Sequence, residues 1–384
     1  MTRKNSKSRD ARVKRKKPEK LEFVQPFLPV RDIQNGIVET TDGRYVKILE
    51  IEPINFMLRS SEEQYNILSS FASWLKISPM KLQFKSITRK ADSDKHIASI
   101  RRELSDEENE QCRAMGEDYI RLIKDVGSRE ALTRRFFLIF QYEAIGRNES
   151  DDYSRIYSML VSAEQSARAY FLQCGNSIIQ PRNPDHAVAE ILYMFFNHRS
   201  CVEEPFTDRV NRVIVDAMTA QGKTVGVDPI PHIPVRHFIA PRGLDLTHSS
   251  YIIMDGRYYC FLYIKANGYP STVRGGWMSS LINAGEGIDV DVHLSRENRS
   301  KTIDKVAQRI RLNRTKPKGM QDTSTDYEEL ANSIQAGYFI KHGIANHNED
   351  LFYMSVFVTV SAKTYEELLW RKQRMIDMLK WICT

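Results

Sequence analysis

The chain has 384 residues, 41% of them hydrophobic, enough for two or three cores, yet no apolar run approaches the ~18 residues of a membrane span. Its five cysteines (Cys112, Cys174, Cys201, Cys260, Cys383) are odd in number and free of CxxC pairs, which argues against a zinc site or disulfide framework and for a reducing cytosol. The net charge of +7 belongs to residues 1–20, where ten Lys/Arg face Asp10 and Glu19; the rest of the chain is close to neutral.

That basic tail, taken as residues 1–21, reads as a solvated, disordered end. It could also rest on nucleic acid or on an anionic membrane surface through residues 1–20. No apolar segment follows it, so it does not read as a signal peptide. After it, "IVETTDGRYVKILEI" alternates on both sides of Asp42-Gly43 and predicts a tight hairpin. "SSEEQYNILSSFASWLK" predicts a helix, with Ser61 and Gln64 as a capping box and Tyr65, Leu68, Ala72 and Leu75 on one apolar face. "KLQFKSIT" predicts a strand with Leu82, Phe84 and Ser86 on one side. A charged helical segment spans roughly 92–126. "RRFFLIFQYE" is a buried strand, and a further helix is stopped by Gly175.

Two helical segments follow, at roughly 186–198 and 205–220. Pro229, Pro231, Pro234 and Pro241 then remove amide donors and predict an extended connector. Beyond it the first pattern returns. "YIIMDGRYYCFLYIKA" repeats the DGRY tetrapeptide, "GIDVDVHLS" alternates, helices span roughly 297–314 and 325–341, and "LFYMSVFVTVS" is a strand. The last helix is capped by Thr364 and Glu367, with Leu368, Lys372, Ile376 and Leu379 along one stripe. Hairpin, helix, strand, helix, strand, helix thus occurs twice. The expected fold is α+β: two similar lobes, each a mainly antiparallel four-stranded sheet covered by helices. The expected divisions are a first lobe at 22–175, a helical segment at 176–221, a Pro-rich connector at 222–249 and a second lobe at 250–384.

Gly222-Lys223-Thr224 has the tail of a phosphate-cradling P-loop, GxxxxGK[ST]. Ala217 stands at the first-glycine position, a helical pattern leads in where a strand is needed, and "VGVDPIPHIP" cannot start the required helix. The tripeptide therefore reads as a decoy and Gly222 as a helix-ending glycine. Asp289, Asp291 and His293 share one face of a predicted strand and form a weak candidate for a divalent metal. Strict alternation already accounts for them, with Ile288, Val290, Val292 and Leu294 facing the core and the polar set facing water. His342 and His347, beside Glu349 and Asp350, are spaced five apart where helical zinc ligands prefer four, and Gly343 suggests a helix end there, so they read as a loop. Arg274-Gly275-Gly276 reads as a turn ahead of a helix. No nucleophile–base arrangement stands out, and no catalytic or cofactor-binding residue is assigned.

"DGRYVKILEIEPINF", "SSFASWLKISPMKLQFKSITRKAD", "SREALTRRFFLIFQYE" and "MDGRYYCFLYIKANGYPSTVRGGWMSSLINAGEGIDVDVHLS" resemble the N-terminal, non-motor region of the type IV secretion and conjugative-transfer ATPases of the CagE/TrbE/VirB family. The resemblance covers everything but the basic tail. It implies a cytoplasmic protein, peripheral at the inner face of the cell membrane, that docks onto other type IV secretion channel proteins and associates with itself. The family's RecA-like motor, with its Walker motifs, ATP and Mg, would begin about where this sequence stops. The expectation is a docking domain without nucleotide hydrolysis of its own; the alternative is a nucleic-acid-binding module acting through the tail.

Overall fold

The computed structural model describes residues 27–79, 81–90, 93–105, 107–129, 132–143, 149–198, 200–265, 268–269, 276–315 and 324–383. The basic tail and Arg274-Gly275 lie outside them. The first strands are β1 (Val30–Gln34) and β2 (Ile37–Thr40), joined by Asn35 and Gly36 at φ of 55° and 69°, the geometry an Asn-Gly hairpin favours. The expected Asp42-Gly43 turn then returns the chain as β3 (Arg44–Glu52). Next comes α1 (Ser61–Ile77). Its capping box lies one residue ahead of the expected pair: Ser60 Oγ accepts the Glu63 amide at 3.3 Å, and Glu63 accepts the Ser60 amide at 2.9 Å.

After β4 (Lys81–Lys90), the charged segment is two helices, α2 (Ser93–Ser105) and α3 (Glu110–Arg129), because the Asn109 side chain takes the Gln111 amide and restarts the spiral. β5 (Leu132–Glu143) and α4 (Glu149–Gln173) follow, and β6 (Ser177–Ile178) pairs with the end of β3. A helical insertion comes next: α5 (Pro184–Phe196), α6 (Ser200–Glu203), α7 (Phe206–Ala220) and, inside the Pro-rich connector, α8 (Val235–Ile239). α8 starts directly after Pro234, where a missing amide leaves no helical bond unmade. The second half comprises β7 (Leu244–Asp245), β8 (Ile252–Met254), β9 (Arg257–Tyr263), α9 (Ser279–Ile282), β10 (Ile288–Arg296), α10 (Arg299–Thr315), α11 (Ser324–Asn346), β11 (Phe352–Ala362) and α12 (Tyr365–Cys383). The α12 cap is the expected one, with Thr364 Oγ1 accepting the Glu367 amide at 3.2 Å.

The α+β class holds, and the two expected sheets are joined as one. Eleven antiparallel strands run in the order β1-β2-β3-β5-β4-β10-β11-β9-β8-β7, with β6 beside β3. The join is the β4–β10 ladder. The order inward from each side, β2-β3-β5-β4 and β8-β9-β11-β10, is the same topology met twice.

The ladders fix residue equivalences. In the first half Lys47 pairs with Phe140, and Phe140 with Leu82; in the second Cys260 pairs with Val360, and Val360 with Ile288. Aligning the two DGRY turns matches Lys47 with Cys260, hence Phe140 with Val360 and Leu82 with Ile288. Lys85 therefore corresponds to Asp291. These two residues are also register partners across the seam, so a local two-fold axis passes between them. Identical residues there would set like charge against like; Lys85 and Asp291 instead make an ion pair at 2.8 Å.

One sheet face is covered along its whole length. Under α1 and α4 lie Trp74, Leu138, Phe140 and Phe171; under α9 and α12 lie Leu281, Val356, Val358 and Leu368. Phe84 and Leu294 belong to both clusters and make the core continuous across the seam. Burying each such side chain contributes about 1.5–3 kcal/mol. The opposite face is covered mainly in the first half, where α5, α7 and α8 pack Val188, Leu192, Phe206 and Ile239 on Ile48, Phe137 and Ile139. In the second half it is closed where His198, just past α5, meets Tyr259 and Asp289, and open at Phe261, Phe357 and His293. Glu204 ties this cover together. Hydrogen bonds from Arg212 and Arg242 outweigh its partial burial and hold its carboxyl down at about 2.

Candidate functional site

The Gly222-Lys223-Thr224 backbone is committed to its own chain. Gly222, at φ 66°, ends α7 in a Schellman arrangement: its amide donates to Thr219 O at 3.0 Å and the Lys223 amide to Met218 O at 2.9 Å. The Thr224 amide donates to the Asp228 carboxylate at 2.7 Å. A helix leads in and an irregular turn leads out, so the strand–loop–helix setting of a phosphate cradle is not formed here.

The face of β10 that carries Asp289, Asp291 and His293 does not simply meet water, contrary to the expectation. Asp289 and Asp291 are buried because β10 is an interior strand and the end of α5 closes over it. Asp289 accepts the Thr88 amide at 3.0 Å and lies 2.5 Å from His198 Nε2. Burial alone would raise its pKa; the His198 imidazole, Lys85 and the Thr88 amide outweigh it and hold the carboxyl below the ordinary range. Asp291 accepts from Lys85 and from Gln83 at 2.7 Å. His293 alone of the three is exposed, its ring edge-on to Phe357 at 5.3 Å, and burial of part of the ring pushes its pKa down. Among the described residues no group of three or more His, Cys, Asp or Glu side chains is placed to hold a metal ion. His198 and Lys85, the partners of Asp289 and Asp291, are not legible in the sequence. They lie 91 and 206 residues from the aspartates they bind, and no local pattern links them.

His342 and Gly343 lie inside α11, which runs past the expected end to Asn346; His347 follows, its ring 5.0 Å from His342. Asp350 is engaged by Arg299, and the Glu349 amide donates to Gly343 O at 3.2 Å. Gly276 precedes α9, a helix of four residues.

Two surfaces stand out. On α1 the inward stripe is Ile67, Phe71 and Trp74; of the stripe the sequence marks as apolar, Tyr65, Leu68 and Ala72 face outward, while Leu75 packs against the core. Tyr65 and Leu68 are 72% and 58% exposed, and Met57 and Leu58, in the turn just ahead of α1, about 80%. Gln64 Nε2 donates to Phe56 O and Arg59 O, holding that turn on the first coil of α1. The second surface is the part of the opposite sheet face that the second half leaves open. Ile48, Phe137 and Ile87, all buried beneath the helical insertion, correspond to Phe261, Phe357 and His293, all exposed. No helix among the described residues is long and apolar enough to cross a membrane.

Residues 30–150, from β1 to the start of α4, match the archaeal TraC-like domain family. No curated protein matches the chain. The match covers less than a third of the sequence and lies within the first half of the sheet. At that level it agrees with the resemblance drawn from the motifs: the first half is a TraC-like region, related to conjugation and type IV secretion. The second half lies outside the match and repeats its topology.

Proposed function

We propose that this chain is a docking and assembly region of the conjugative-transfer apparatus, of the CagE/TrbE/VirB kind. It binds other channel subunits and itself, at the cytoplasmic face of the membrane, and does not hydrolyse nucleotide on its own. The observation that carries this reading is the outward apolar stripe of α1 with Met57 and Leu58. Contiguous exposed apolar surface of this sort marks interaction sites, and a capped helix with a pinned turn presents it preorganised. The TraC-like match to residues 30–150 supports the system in which the partners are to be sought.

The test is co-purification with the channel subunits encoded alongside the chain, together with sedimentation velocity of the chain alone. The Leu58→Asp/Leu68→Asp variant keeps its thermal midpoint, since both side chains are exposed, and loses partner binding at least tenfold. Undiminished association would overturn the reading. Lys223→Ala changes neither association nor phosphate release from ATP, which stays at background for both proteins. Turnover that disappears with Lys223 would show a motor where none is proposed.

A further inference from the structure

The open part of this face in the second half carries an inference independent of the docking reading. Three isoleucines receive helices on this face of the first half: Ile48, Ile87 and Ile139, each under 9% exposed. Their equivalents are Phe261, His293 and Thr359, so the second half replaces an aliphatic bed by rings and polar groups. The rings form a row across three neighbouring strands. Tyr263 on β9 lies 6.3 Å from Phe357 on β11, and Phe357 lies 5.3 Å from His293 on β10. Tyr263 and Phe261 are 61% and 60% exposed.

At His293 the row opens into a trough of about 420 Å³ on the same face, lined by Arg44, Lys81, Gln83, Gln141 and Tyr353, and by no carboxylate among the described residues. Arg44 is paired with Asp42 at 3.0 Å, so its charge is shared. Asp291, which shares this face of β10 with His293, is paired with Lys85 at 2.8 Å. Glu297, hydrogen-bonded to Tyr353 at the trough, is paired with Lys305 at 3.0 Å. A face of exposed rings whose neighbouring described carboxylates, Asp291 and Glu297, are paired, continued by a trough of amides and cations, suits a ligand that offers successive π-faces on an anionic backbone. An amphipathic helix would find here neither the isoleucines nor the shape that receive one in the first half.

We propose that this face binds single-stranded nucleic acid, with bases stacked on Tyr263, Phe357 and His293 and the backbone led into the trough. The experiment is fluorescence anisotropy of a labelled oligothymidylate of about 20 nucleotides, roughly the span one or two stacking modules cover, titrated with the full chain at low and moderate salt, beside a duplex of equal length. Phe357→Leu and Tyr263→Leu keep apolar bulk and remove the ring. Each weakens single-strand binding on the order of tenfold, Tyr263→Phe restores it, and duplex binding stays weak. Unchanged thermal midpoints show that the variants fold. Leu58→Asp/Leu68→Asp leaves strand affinity intact, which separates this proposal from the docking reading. Three results overturn it: no preference for single strand over duplex; leucine variants that bind as tightly as the parent, which assigns binding to the basic tail; or a self-association that aspartate at Phe357 breaks while strand binding persists, which makes the face a contact between copies.

Discussion

The two halves of this sheet share one topology and differ in what lies on them. Residues 30–178 are covered on both faces, by α1 and α4 on one side and by the insertion α5–α8 on the other; in residues 244–383 the second face is closed only beside the insertion, at Tyr259, Asp289 and Asp291, and is open at Phe261, Phe357 and His293. Phe137 and Phe357 stand at equivalent ladder positions. The first is fully buried, edge-on to Phe195 at 5.1 Å, and the second is 41% exposed. Strand pairing sets where a side chain points, and the insertion sets whether that direction ends in protein or in solvent. A repeated fold can thus keep one copy of a surface for stability and release the other for contact.

The largest effect expected is the contrast between these two phenylalanines. Phe137→Ala costs about 3–5 kcal/mol, and Phe357→Ala less than about 1 kcal/mol, by urea unfolding. Similar costs at both positions would break the equivalence. Next is the seam. Lys85→Asp sets two carboxylates against each other at the local axis and costs about 3–5 kcal/mol, most of it recovered in Lys85→Asp/Asp291→Lys. A double variant no better than the single would show that the axis does not pass between them.

A smaller effect is acid sensitivity at Asp289, on the stretch of β10 that the end of α5 closes. Asp289 has its folded pKa held below its unfolded value, so its contribution is present above about pH 4 and is lost as pH falls through the lower folded value. Asp289→Asn flattens that limb of the stability–pH curve at some loss of stability near neutrality; an unchanged limb would place the acid sensitivity elsewhere. Smallest is Ser60→Ala, expected to cost about 1 kcal/mol by removing the α1 cap, a loss seen as a lower urea midpoint with no change in cooperativity. It loosens the turn that carries Met57 and Leu58 without altering their chemistry.

Much of the strand framework was legible from local chemistry. The two DGRY turns announce themselves because Asp-Gly supplies the needed backbone, β4, β10 and β11 because their apolar residues keep a period close to two, and β5 because Phe136 to Phe140 form a strand-length apolar run. The Asn35-Gly36 hairpin carries the same kind of signal, but the five-residue strand before it, VRDIQ, is too short and too polar to show a period of its own. Which stripe of α1 packs inward was not legible, since Tyr65-Leu68-Ala72 and Ile67-Phe71-Trp74 are both apolar and only the position of α4 chooses between them. The alternation of β10 reads the same whether its polar side meets water or a helix end, so the burial of Asp289 was hidden. The edge-to-edge join of β4 to β10 was hidden too, because hydrogen bonding along a strand edge leaves no mark in composition.

The central claim is that equivalent positions on one sheet face are closed in the first half and open in the second. Ile48→Cys and Phe261→Cys, each in a Cys112→Ser background, test it through the rate of thiol labelling in the native chain. A thiol at position 261 that reacts at nearly its unfolded rate, with one at 48 protected on the order of a hundredfold (about 2.7 kcal/mol of opening), is the predicted result. Equal rates at the two positions, whether fast or slow, would contradict the account.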